Sequence, residues 1–147
     1  MFPRVLTSLV ALGVLHLAAA AGLAQHATGE FNLQDPANAK EAKVVFRSSI
    51  KSDCSLKYWS LGHTGIHATF KYENTTKETI YYAGFVALYD ADKSLVGCLH
   101  CGSNRFSKLD PGKEIEEQVN LALPLAELKR IRSFQARVLI DTKEPGK

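Results

Sequence analysis

The chain has 147 residues, 46% of them hydrophobic and 22% charged, with 18 lysines and arginines against 15 aspartates and glutamates. The formal net charge of +3 is close to balanced, and the basic residues are scattered, Lys129, Arg130 and Arg132 being the densest group, so the electrostatic footprint of a nucleic-acid binder is excluded. The length supports one modest core and no second domain.

Residues 1–24, MFPRVLTSLVALGVLHLAAAAGLA, carry one charge, Arg4, ahead of an apolar run that ends in small residues at Gly22 and Ala24. A positive start, an apolar middle and a small-residue cut site are the grammar of a secretory signal peptide. Cleavage is predicted between Ala24 and Gln25, with Ala21 as a second cut point, leaving no membrane span. A retained anchor is the rival reading, because the run is about long enough to cross a bilayer. The predicted location is secreted or periplasmic, an oxidising setting in which disulfides persist.

Residues 25–42 are small and polar and are predicted to be a flexible N-terminal tail. From Lys43 to Asp141 the texture is that of a folded domain, followed by a disordered tail over 142–147. KVVFRSSI is a first strand by its β-branched and aromatic residues. SDCSLKYWSLGHTG follows as a turn-rich stretch carrying Tyr58 and Trp59. IHATFKYEN alternates Ile66, Ala68, Phe70 and Tyr72 against His67, Thr69 and Lys71, the period of a half-buried strand. TIYYAGFVALYD is apolar on both faces, which predicts a central strand. A turn at 90–93 sends SLVGCLHC back as its hairpin partner. GSNRFSKLDPGK is a loop ending in an Asp-Pro-Gly turn. EIEEQVNLAL alternates Ile115, Glu117, Val119 and Leu121 against Glu116, Gln118 and Asn120, a strand with one wet face. PLAELKRI spaces Leu125, Leu128 and Ile131 for one helical face, with Pro124 in its first turn. SFQARVLID closes the fold with Phe134, Ala136, Val138 and Ile140 facing in. About seven short strands and one late helix predict an all-β, antiparallel immunoglobulin-like sandwich with the helix before the last strand.

Three pieces in this order carry a resemblance: the polar turn ENTTKETI, the strand end VALYDADKSLVG, and LDPGKEIEEQVNL. Over about residues 66–141 the chain resembles the FxLYD-type domain, a small immunoglobulin-like sandwich of secreted bacterial proteins. The family's Phe-x-Leu-Tyr-Asp falls on Val86-Ala87-Leu88-Tyr89-Asp90, with valine in place of phenylalanine, and its Leu-x-Pro-Gly turn on Leu109-Asp110-Pro111-Gly112. The resemblance implies the sandwich and carries over no catalytic residues.

The three cysteines permit one bridge and leave one thiol over. A redox Cys-x-x-C sits at a helix N-terminus, but GSNRFSKLDPG after Cys101 cannot form a helix. On a strand, Cys98 and Cys101 stand about 10 Å apart, beyond the roughly 7 Å that a disulfide spans, and they point to opposite faces. One of them is therefore expected to pair with Cys54. Leu95, Leu99 and Cys101 share the face better suited to the core, which favours Cys54 with Cys101 over Cys54 with Cys98. Cys98 would then lie beside His100. Cys98 and His100, with His63 and His67, are candidate ligands for Zn or Cu. Tyr58 and Trp59 are a candidate recognition patch. Asp90 and Asp92 read as turn formers, and Glu114, Glu116 and Glu117 as a solvated face. No catalytic constellation and no cofactor motif is visible. The predicted function is a secreted, non-enzymatic binding or protein-interaction module stapled by one disulfide, whose partner is an unknown protein or cell-envelope ligand. The alternative is a periplasmic metal-binding or thiol-redox protein using Cys98, His100 and Cys101.

Overall fold

The alternating and doubly apolar stretches of the sequence form nine strands and one turn of helix among the residues that the computed structural model describes, 25–30, 41–47, 50–59, 63–101 and 106–146. In chain order these are β1 (Gln25–Glu30), β2 (Ala42–Arg47), β3 (Lys51–Trp59), β4 (Gly65–Glu73), β5 (Ile80–Tyr89), β6 (Leu95–Cys101), β7 (Ser107–Leu109), β8 (Glu114–Ala122), α1 (Leu125–Leu128) and β9 (Ser133–Asp141). The expected signal peptide, 1–24, and residues 31–40 of the expected tail lie outside the described residues. No helix among the described residues is long and apolar enough to cross a membrane.

Two antiparallel sheets make the sandwich. One has the strand order β1-β9-β5-β6, with β7 also pairing β5, and the other β2-β3-β4-β8. The inward rows of the β4 sheet are Phe46-Ser52-Tyr72-Ile115, Val44-Cys54-Phe70-Glu117 and Ala42-Leu56-Ala68-Val119. The β5 sheet opposes them with Val138-Gly84-Cys101, Ala136-Val86-Leu99 and Phe134-Leu88-Gly97. Tyr72, Tyr82, Phe70, Phe134, Leu56 and Ile66 are the largest fully buried side chains. Burial of an aliphatic or phenyl side chain of this kind contributes about 1.5–3 kcal/mol relative to leaving it in water. β5 is central, as its two apolar faces predict, with β9 on one side and β6 and β7 on the other.

Two stretches depart from the sequence reading. Gln25–Glu30 is not a tail but the edge strand β1, paired along its whole length with β9. Its inward positions are Ala27 and Gly29, and a Cβ on Gly29 would stand 2.5 Å from the Phe134 ring. A strand this small and polar buries little of its own; it closes over a large neighbour. SDCSLKYW is likewise not irregular but the nine-residue β3, with Ser52, Cys54, Leu56 and Tyr58 inward. Small side chains at the first two inward positions hide its period. The helix shrinks to one turn, in which Leu128 and the following Ile131 are buried while Leu125 is 42% exposed.

The pieces that carry the family resemblance stitch the ends of the sandwich. Asn74, fully buried, donates from Nδ2 to the carbonyls of Glu78 (2.8 Å) and Leu109 (2.9 Å) and accepts at Oδ1 from the Thr76 hydroxyl (2.7 Å) and N–H (3.0 Å). Its backbone N–H donates to the Lys113 carbonyl and its carbonyl accepts from Gly112 N–H, both at 2.9 Å. Gly112 sits at φ +70°, which glycine adopts at no steric cost. At the other end Asp90 Oδ1 accepts from the N–H groups of Asp92 (3.0 Å) and Ser94 (2.9 Å), and Oδ2 from Arg130 (2.9 Å). One carboxylate thus ties the β5–β6 hairpin to the segment after α1.

Candidate interaction surface

The two outer faces of the sandwich differ in chemistry. On the β4 sheet the outward side chains form an ion-pair ladder: Lys51 to Glu73 (3.0 Å), Lys43 to Asp53 (3.1 Å), Lys71 to Glu116 (2.9 Å) and Lys57 to Glu41 (3.1 Å). Hydrogen bonding to Lys71 holds the Glu116 carboxyl below its usual range, and the same contact raises Lys71. His67 Nδ1 lies 2.6 Å from Asn120 Oδ1 on this face.

The outer face of the β5 sheet is apolar and aromatic at its middle, with Lys108 and Asp141 beside Tyr81 at one end. β5 presents Tyr81, Ala83, Phe85, Ala87 and Tyr89 there, and Phe85 stays 40% exposed. β6 adds Cys98 opposite Ala87 and His100 opposite Phe85, whose rings stack with centroids 6.4 Å apart. β9 adds Gln135, Arg137 and Leu139. The middle of this face, from Phe85 and Ala87 across Cys98 and His100 to Gln135, Arg137 and Leu139, lines a shallow depression of about 590 Å³ in which Arg137 carries the one formal charge. The sequence showed that β5 is apolar on both faces, but not that the outer one stays open. That depends on which strands cross over it.

The cysteines divide between the faces. Cys101 is buried with Leu99 and Cys98 is exposed, so Cys98 and His100 share the outer face while Cys101 points away from both; Leu95, expected on the core face, is instead exposed past the register shift at Leu88/Tyr89. The expected Cys54–Cys101 bridge is not made: all three cysteines are free thiols. The strand order supplies the reason. Cys54 lies on β3, beside Phe70 on β4, and Phe70 packs over Gly84, the cross-strand partner of Cys101. Cys54 and Cys101 thus stand in different sheets, on β3 and on the outermost strand β6. Burial pushes both thiols up to about 12, and the proximity of Cys101 adds to the shift at Cys54. Tyr72 Oη stands 3.1 Å from Cys101 Sγ, and burial followed by this sulfur raises the phenol well above its usual range. Glu117 faces inward rather than into water and accepts a 2.7 Å bond from the Tyr82 hydroxyl.

The remaining candidates do not converge. His67 lies on the β4 sheet, on the opposite outer face from Cys98 and His100, and His63 is exposed in the turn before β4. Among the described residues no group of three or more histidines, cysteines or acids is gathered about one point. Tyr58 and Trp59 alternate on β3, with Tyr58 packed against the core beside Ile66 and Trp59 outward over Gly65, so they form no joint patch.

No family model matches the chain, and no curated protein matches it. Solved structures similar to it include the infectious bursal disease virus VP2 subviral particle, with 13% identity over 84% of this chain and 29% of that chain at a TM-score of 0.44. The structure of the Gt strain of that virus gives 10% identity over 83% and 28%, at 0.43. This chain spans less than a third of the length of either. The class that the strands and sheets define is the all-β, two-sheet antiparallel sandwich.

Proposed function

We propose that this chain is a secreted or periplasmic, non-enzymatic β-sandwich of the FxLYD type that acts as a protein-interaction module and docks its partner on the outer face of the β5 sheet. The observation that carries the reading is the contrast between the two outer faces. One is satisfied internally by ion pairs, while the other leaves Phe85 exposed beside His100, Ala87 and Leu139 around a single arginine. Contiguous apolar surface rimmed by polar groups marks interaction sites, and an exposed aromatic at the centre of such a patch is the usual anchor. The leader over 1–24 supports export, and the partner is a protein or a cell-envelope ligand.

The test compares baits in the same extract. Phe85→Asp places a charge at the centre of the face, and Lys43→Glu alters the opposite face as a control. The Phe85 variant should weaken capture of any specific partner by about 30-fold or more, the loss of a hot-spot anchor, with an unchanged circular dichroism spectrum. Equal capture by the wild type and Phe85→Asp would show that docking takes place elsewhere.

A further inference from the structure

The four outermost strands of the two sheets are not equally defended. β1 carries Glu30, β2 carries Lys43 and Arg47, and β8 carries Glu114, Glu116 and Glu117. β6, LVGCLHC, carries no lysine, arginine, aspartate or glutamate and no proline, and Leu95 at its start is 61% exposed. Its one ladder is with β5, and among the described residues no strand pairs its other edge. Charges and prolines are how sheet edges avoid pairing with other strands. An uncharged edge offering free N–H and C=O groups is a template for a further strand.

We infer that β6 is a self-association edge, at which two copies of this chain pair their β6 strands antiparallel about a two-fold axis. The occupant follows from the strand's own register. Cys98 is the midpoint of Leu95–Cys101, so a two-fold through it sets Cys98 against Cys98 of the second copy and Gly97 against Leu99. Such an interface is isologous and closes at two copies. The register shift at Leu88/Tyr89 bulges the Leu95 end and leaves Gly97–Cys101 as the regular part of the ladder, with Cys98 inside it. Directly opposite residues of an antiparallel pair project from the same face with Cα atoms about 4.5–5.5 Å apart, within the roughly 4.4–6.8 Å that a disulfide accepts. Cys98 is the exposed cysteine of the three, so the pairing can be locked covalently. Two Cys98 thiols react with a small disulfide oxidant: one S–S bond forms between the copies, the oxidant's S–S bond breaks, and its two sulfurs leave as thiols carrying both protons. The result is one continuous sheet across two copies, with the apolar faces side by side. The inference stands apart from the docking proposal, because Phe85→Asp alters the face and leaves the β6 backbone edge intact.

The test is light scattering and non-reducing peptide mapping of the purified chain, reduced and then incubated with oxidised glutathione. The expected result is a doubling of mass with a Cys98–Cys98 peptide, and a Cys98→Ser protein that still dimerises reversibly without the covalent link. The variant Cys98→Lys sets two lysines directly opposite one another on the two-fold and should weaken the reversible dimer that Cys98→Ser retains by about tenfold or more through like-charge repulsion, with its folded spectrum retained. A monomer at all concentrations whose Cys98 ends as a glutathione mixed disulfide would overturn the inference. So would a dimer linked through Cys54 or Cys101, or a Cys98→Lys protein that dimerises as readily as Cys98→Ser.

Discussion

At Gly84 the two inner faces come close together. A methyl group there would meet Tyr72 Oη, Phe70 Cε1 at 2.6 Å and Cys101 Sγ at 2.7 Å. All three belong to fully packed neighbours, so none moves away cheaply. Gly84→Ala should therefore cost about 1–3 kcal/mol, the range for an overpacked core, seen as a lower urea midpoint at unchanged slope. A variant as stable as the wild type would mean that the aromatic pair does not sit over Gly84. The thiols give a second expectation. With Cys54 and Cys101 raised to about 12 by burial and Cys98 exposed, a chromogenic disulfide reagent should find one fast thiol in the native protein. In denaturant, without prior reduction, a freshly purified monomer should show three. A count of one in denaturant would restore the intramolecular bridge. At this scale, alternation in the sequence was enough to read Cys101 inward, Cys98 outward and Phe134, Ala136, Val138 and Ile140 into the core. It could not show that Cys54 and Cys101 stand on β3 and β6 of different sheets, since that is a fact of strand order and not of strand register.

Among the elements, the β5–β6 hairpin is fastened through one carboxylate, that of Asp90. The Ser94 N–H, then the Arg130 guanidinium, hold the Asp90 carboxyl below the usual carboxylate range. A carboxyl whose folded value lies below its unfolded one adds stability that is present above the unfolded value and is lost as pH falls through the folded one. Asp90→Asn should thus lower the melting temperature at neutral pH, and the gap from wild type should close below about pH 4, where the unfolded carboxyl protonates. Melting curves across that range check it; a gap that persists unchanged at pH 2 would show that Asp90 acts through shape rather than charge. This hairpin was legible because a long apolar run, an Asp-rich turn and a second run follow one another locally. β1 and β3 were not. β1 shows almost no hydrophobic period, because its inward side chains are an alanine and a glycine fitted around Phe134. β3 begins its inward row with Ser52, whose hydroxyl is buried with no hydrogen-bond partner among the described residues, and tertiary packing overrides that polar start.

For the molecule as a whole, the division of labour lies between faces and edges. The ladder on the β4 sheet is built of half-exposed pairs, such as Lys51 at 73% against Glu73 at 43%. Pairs of this kind contribute about 0–1 kcal/mol each, so their chief effect is to leave that face soluble and uninviting. The other sheet keeps its apolar outer face and uncharged β6 edge next to each other, so a dimer through the edge would present two docking faces in one plane. The sequence held the ingredients of both surfaces, in the double apolarity of β5 and the missing charges of LVGCLHC. Their adjacency appears only once β6 is placed last in the sheet.

The β1–β9 pairing also fixes how the fold would respond to being pulled. Gln25 lies opposite Val138, so the start of β1 and the end of β9 leave the same end of one antiparallel ladder. Tension applied between those two points does not shear the ladder, which would load all its hydrogen bonds at once. It opens the pair like a zip, one bond after another, beginning at Gln25. The small, polar edge strand is thus the mechanical weak seam of the sandwich. It would yield first under load while the aromatic core behind Phe134 stays shut.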